Sequence, residues 1–134
     1  MRHDALEASE DFTFETVLFT DRNLLFMQNA KDKGYFLRGY FIMTDSPFVN
    51  LDRINGRVSN GGHDVPEDKV ISRYYRSLQN LRNFVELCEI CHVYDNSVFP
   101  NLLFRNHKLS ETFYPSGVWT SELLYQLIGN PEEL

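Results

Sequence analysis

Apolar residues recur along this chain at two different periods, and the periods alternate. FTFETVLF, residues 12–19, is dense in aromatic and β-branched types and predicts a buried strand. DRNLLFMQNAKDK, 21–33, carries good helix formers behind a cap candidate, Asp21, and stops at Gly34. YFLRGYFIMT, 35–44, predicts a second strand, after which Ser46 and Pro47 open a helix to about Ser59. A long helix is predicted from 65 to about 90, with short strands at 92–95 (HVYD) and 102–105 (LLFR). A last helix, roughly 119–128, follows the loop YPSG and ends at Gly129. Strands separated by helical stretches predict an α/β fold with a largely parallel sheet.

The long helix has two distinct faces. Ile71, Tyr74, Leu78, Leu81, Val85 and Cys88 recur at spacings of three and four, which makes a core-facing stripe. Lys69, Arg73, Arg76, Asn80 and Asn83 repeat the rhythm on the opposite side, so Arg73 and Arg76 are neighbours there. Asp64-x-x-Glu67 fits a capping box around Pro66, a residue tolerated in a first turn.

Composition narrows the class. At 134 residues and 43% hydrophobic content, with 11 Phe and 7 Tyr, the chain is one folded domain in size. No apolar run is long enough for a membrane span, and the polar, acidic start MRHDALEASEDF has no signal-peptide core, so a cytoplasmic protein is expected. The net charge of −6 argues against a nucleic-acid binder. That charge is uneven: residues 51–82 hold six basic against four acidic side chains, +2, which leaves −8 for the remainder. An anionic ligand is therefore expected beside this stretch.

Candidate site residues follow from these placements. Ligands in α/β sheets gather outside the carboxyl ends of strands. Glu15-Thr16, Thr44-Asp45 and Asp95-Asn96-Ser97 fall there. Glu15 sits among Phe12, Phe14, Val17 and Leu18, where an unpaired carboxylate is costly; a ligand pocket and a structural ion pair both meet that need. Arg57 ends one helix, and the Gly61-Gly62 turn can fold it back toward Arg73 and Arg76. Three converging guanidiniums suit phosphate oxygens, although a polar helix face is ordinarily just solvated. His63, in the same loop, proves little alone.

Cys88-Glu-Ile-Cys91-His92 formally matches the C-x-x-C-H haem-attachment pattern. Without an export signal or a second ligand pair, neither haem nor zinc is expected. The cysteines, read as lying in one helix, are expected to be free thiols.

FTFETVLFTDRNL, AKDKGYFLRGYFIMT, RINGRVSNGGHDVPEDKVISRYYRSLQNL and CEICHVYDNS together resemble the zeta toxin-like family of P-loop kinases. The resemblance runs from about residue 5 to about 105, and GGHDVPEDKVISRYYRSL is its most specific part. The family's founding toxins phosphorylate UDP-N-acetylglucosamine with ATP and are neutralised by an antitoxin. By resemblance, Arg57, His63, Arg73 and Arg76 belong to a lid region, about 57–78, that closes over the ATP phosphates. Glu15 and Thr16 would contact the sugar-nucleotide or other small-molecule acceptor, and Asn96 would lie near the nucleotide base. ATP and Mg are the cofactors implied.

One element of the family is missing. No G-x-x-x-x-G-K-S/T phosphate loop occurs in the sequence, and no residue matches the family's catalytic aspartate; Asp4 and Asp11 stand in the wrong context. The expectation is thus a single, N-terminally truncated domain, a partial P-loop NTPase fold of three layers that lacks its phosphate-loop strand. Such a chain is expected to be inactive alone. Its open sheet edges are expected to pair with each other, with another copy, or with a separate phosphate-loop segment. A non-catalytic remnant that binds an antitoxin-like partner is the alternative.

Overall fold

A computed structural model describes residues 21–59, 61, 66–107 and 110–129. In chain order these form α1 (Arg22–Asp32), β1 (Arg38–Met43), α2 (Pro47–Ser59), α3 (Glu67–Leu87), β2 (Ile90–Asp95), β3 (Asn101–His107), β4 (Ser110–Phe113) and α4 (Ser121–Ile128). The fold is α/β, with one mixed sheet in the order β1-β2-β3-β4. The strand expected at 12–19 lies outside the described residues.

Among the described residues the sheet is mixed, not wholly parallel. β1 and β2 are parallel, while β2–β3 and β3–β4 are antiparallel. Connection length explains the split. Parallel neighbours need a crossover, and α2 with α3 supplies it; the few residues after β2 and after β3 permit only hairpins. β4, SETF, was not expected because it is polar and reads as loop.

Local chemistry accounts for most helix ends. Gly34, at φ 89°, donates to the Lys31 carbonyl, and Tyr35 donates back to Ala30, closing α1 where a left-handed residue is needed. Ser46 Oγ accepts from the Phe48 amide at 3.1 Å and opens α2. Thr120 accepts from Leu123, and Gly129 ends α4. Two cap expectations change. Asp21 holds the N-cap position of α1 without a side-chain bond. α3 starts at Pro66 as N-cap rather than two residues earlier, with Glu67 and Asp68 set against the positive end of its dipole.

The helical stripe of α3 shifts slightly from its sequence reading: Val70, Tyr74, Leu78, Leu81, Phe84 and Val85 are the buried set. All of these except Val70 pack with Leu24 and Met27 of α1, Leu124 and Ile128 of α4, and one face of the sheet formed by Phe41, Met43, Cys91, Val93 and Phe104. α2 packs against α3. A register shift between Val93 and Tyr94 makes Leu103 an extra residue in β3, which lets consecutive Leu103 and Phe104 both enter the core. Gly39 is where α3 ends against β1. A Cβ there would lie 2.6 Å from both Cys88 Sγ and Phe84 Cζ.

α3 ends at Leu87, so the two cysteines do not share a helix: Cys88 caps α3 and Cys91 is inside β2. Both are buried free thiols. The other sheet face carries Arg38, Tyr40, Ile42, His92 and Tyr94, and among the described residues the core cluster contains none of them. The described helices therefore form one layer on the sheet rather than two.

Candidate functional site

The carboxyl ends of the parallel pair meet in a hydrogen-bonded polar cluster. Met43 and Asp95 are register partners, and the Asn96 amide donates to the Met43 carbonyl at 2.8 Å. The Asp45 amide donates to Ser97 Oγ at 2.8 Å, tying the turn after β1 to the turn after β2. Asp95 organises the second turn. Its Oδ1 accepts from the Ser97 amide at 2.8 Å and from Ser97 Oγ at 2.6 Å. Its Oδ2 accepts from Trp119 Nε1 at 3.1 Å, which anchors the segment before α4. Three donors on one carboxylate make Asp95 a structural acceptor rather than a free base.

Below this turn lies a second, more buried layer. Tyr74 of α3 donates its hydroxyl to the Thr44 carbonyl at 2.6 Å. Burial, followed by the neighbouring Tyr75, Asp45 and Asp95, pushes the Tyr74 pKa up, so the phenol keeps the proton it donates. Thr44 is buried, and its hydroxyl lies 3.0 Å from the Ser46 carbonyl and 2.9 Å from Asn50 Oδ1. The result is a rigid ledge of turn backbone with the exposed Asp45 and half-buried Asn96 at its rim.

The residues singled out from sequence fall around this ledge unevenly. Glu15, Thr16 and His63 lie outside the described residues. Asn96 is at the ledge, where its carbonyl accepts from an α2 arginine. That arginine is Arg53, whose Nη2 lies 2.6 Å from the Asn96 carbonyl and 3.0 Å from the Ser97 carbonyl. Arg57 sits one turn further, exposed in the last turn of α2, where a cation also suits the helix dipole. Arg73 is half-buried and Arg76 exposed, three residues apart on α3. The structure thus puts all three guanidiniums on the two crossover helices and joins Arg53 to the strand ends.

Sequence reasoning passed over Arg53, Tyr74 and Trp119 as site residues. Asp95-Asn-Ser97 carried the available signal, since an Asx turn after a strand needs that pair two residues apart. Tyr74 was legible as core but not as a donor, because periodicity says nothing about where a hydroxyl points.

Cys88, Cys91 and His92 do not converge. Cys91 faces the core, whereas His92 lies on the opposite sheet face between Tyr40 and Tyr94, with ring centroids at 5.3 and 6.3 Å. Burial, then the neighbouring Arg105, Arg38 and His107, hold the His92 pKa below its ordinary value. Among the described residues, no group of three or more metal-capable side chains is assembled. None of the described helices is long and apolar enough to cross a membrane.

In sequence the chain is similar to an uncharacterized protein of Haemophilus influenzae (strain ATCC 51907 / DSM 11121 / KW20 / Rd), 33% identical over 72 residues. That stretch covers 54% of this chain, which spans about half (51%) of the length of the curated relative it matches. No family model matches the chain, and no solved structure matches it.

Proposed function

We propose that this chain is the C-terminal portion of an ATP-dependent phosphotransferase resembling the zeta toxins, acting on a sugar nucleotide or another small molecule. On this reading the described α/β unit is part of a three-layer P-loop NTPase fold. The observation that carries the proposal is the crossover between parallel β1 and β2. Its two helices bear Arg57, Arg73 and Arg76 on either side of the 60–66 connection, as a lid requires, and lead away from and back to the polar strand ends. ATP with Mg would be held against those arginines, whose fork-shaped donors match phosphate oxygens and offset charge as the phosphoryl group transfers. Glu15 and Thr16 would face the acceptor, and Asn96 the base.

Without the backbone cradle and lysine of a phosphate loop, the chain alone would neither hold nucleotide tightly nor position it for transfer. A second reading, a non-catalytic remnant that binds an antitoxin-like protein, draws on the same missing loop. DNA upstream of Met1 separates the two: an in-frame G-x-x-x-x-G-K-S/T favours the kinase, an intervening stop the remnant. Calorimetry then tests the lid. The joined protein should bind Mg-ATP at micromolar affinity, and replacing Arg73 and Arg76 together by Ala should weaken it roughly tenfold or more, as loss of charge-assisted bonds implies. Unchanged affinity in that variant would remove the lid assignment. Micromolar binding by the 134-residue chain alone would overturn the claim that it needs a partner segment.

A further inference from the structure

A cleft of about 390 Å³ lies beside the amino end of β2 and the last residues of α3 and α4, at the far end of the sheet from the polar ledge. Asn106 of β3 lines it. Its register partners are Cys91 on one side and the half-buried Glu111 on the other. Asn106 is only 8% exposed, and among the described residues its Oδ1 is buried without a hydrogen-bond partner. An unmet buried carbonyl oxygen is costly, and folded proteins keep few of them. Among the described residues the cations on the cleft wall are already engaged. Lys31 Nζ donates to the Glu86 and Leu87 carbonyls at 3.3 and 3.5 Å, at the end of α3, and Arg82 Nε lies 3.4 Å from Glu86 Oε1. Glu89 Oε2 accepts from the Leu37 amide at 2.6 Å. The other Glu89 oxygen, the Glu111 carboxylate and Asn106 Oδ1 are left as acceptors, with Val85 and Ile128 as an apolar wall.

We propose that this cleft binds a small aliphatic amine in its ammonium form. The N–H groups of the ammonium donate to Glu111, to Asn106 Oδ1 and to the second Glu89 oxygen, and charge assistance strengthens the two bonds to carboxylates. The alkyl chain lies along Val85 and Ile128. A metal ion suits the cleft less well. Among the described residues no group of three metal-capable side chains is assembled, whereas the volume falls in the ~300–1,000 Å³ range of small-molecule sites. Charge also argues that the occupant comes from outside the chain. Residues 1–20 hold five carboxylates against one arginine, and residues 130–134 hold two carboxylates and no cation. Neither stretch complements a cleft already rich in acceptors.

The site stands apart from the ledge and does not depend on the phosphotransferase proposal. The test is proton–nitrogen NMR of the full chain, titrated with n-butylammonium chloride at constant ionic strength, with butan-1-ol as the neutral analogue. The Asn106 side-chain NH2 and the backbone amides of Cys88, Glu111 and Gly129 should shift saturably, at roughly millimolar strength for so small a ligand. Butan-1-ol should leave them in place. Glu111→Gln keeps the shape of its side chain on β4 and should weaken binding roughly tenfold. Asn106→Leu should weaken it at least as much. Because that change removes an unmet polar group, the variant should also melt at or above the parent's temperature, which loss of a structural hydrogen bond would not allow. The absence of saturable shifts overturns the proposal, as does an equal response to butan-1-ol or an unchanged affinity in Glu111→Gln. An Asn106→Leu chain that melts well below the parent overturns it too, because the amide is then bonded within the protein.

Discussion

Asp95→Asn isolates what the carboxylate at the end of β2 contributes. The wild-type side chain accepts three bonds, two from Ser97 on Oδ1 and one from Trp119 on Oδ2. An amide of the same shape offers one acceptor oxygen and one NH2 group. If its oxygen stays with Ser97, the NH2 group meets the Trp119 N–H, donor against donor. Trp119 is only 6% exposed, so water does not replace the lost partner. Leaving a buried donor unmet costs ~1–3 kcal/mol, and the bonds that remain lose their charge assistance. The expected destabilisation is about 2 kcal/mol, or a fall in Tm of about 5–10 °C for a domain this size. The chain has a single tryptophan, so urea unfolding followed by its emission reads the bond and the fold together. The midpoint should fall with the m-value unchanged. In a cycle with Trp119→Phe, followed by dichroism, the two costs should fall short of additive by roughly 1 kcal/mol. Strict additivity, or an Asp95→Asn midpoint equal to the parent's, would refute the account of Asp95 as the organiser of this turn.

Three other substitutions probe the supporting structure. Tyr74→Phe leaves the buried Thr44 carbonyl without its 2.6 Å donor and should cost ~1–2 kcal/mol in urea unfolding. Gly39→Ala places a methyl 2.6 Å from Cys88 Sγ and Phe84 Cζ, against an ordinary ~3.5–4.0 Å contact, and should cost ~1–3 kcal/mol; Phe84→Leu in the same chain should recover part of it. His92 has its pKa lowered by burial first and then by Arg105, Arg38 and His107, so the unfolded chain binds the proton more readily. Its contribution is complete above the ordinary histidine value of ~6.5 and is lost as pH falls below it. Melting from pH ~7.5 to ~5.5 should therefore drop further in the parent than in His92→Gln.

Much of this architecture was legible because it rests on local rules. Gly34 and Gly129 marked helix ends that only a permissive residue closes comfortably, and Ser46-Pro47 announced α2. The α3 stripe was readable from its spacing, although Val70 and Phe84 join the buried set and Ile71 is only half-buried. What escaped depended on partners distant in sequence. The antiparallel half of the sheet follows from short connections, but β4 has no apolar pattern of its own and exists by pairing with β3. The bond between Arg53 and the 96–97 carbonyls spans more than forty residues, and periodicity on α2 holds no trace of it. Arg57 drew attention through its place in the sequence, whereas the geometry ties Arg53 to the strand ends.

The sheet also explains why the polar ledge lies on the strand that ends the sheet among the described residues. β1 receives its partner β2 through a two-helix crossover, which fixes its inner side and gathers Thr44, Asp45, Asp95 and Ser97 at one end. The hairpins that add β3 and β4 extend the sheet only away from β1. Among the described residues β1 is the strand that both delivers residues to the ledge and ends the sheet on that side. A strand placed there would end beside Thr44 and Asp45 if parallel, and would start beside them if antiparallel. Pairing at this edge is therefore coupled to the ledge through a few residues of backbone. Substitutions that loosen the Thr44–Tyr74 bond should therefore disturb the ledge from the β1 side, and Asp95→Asn from the β2 side, each lowering stability.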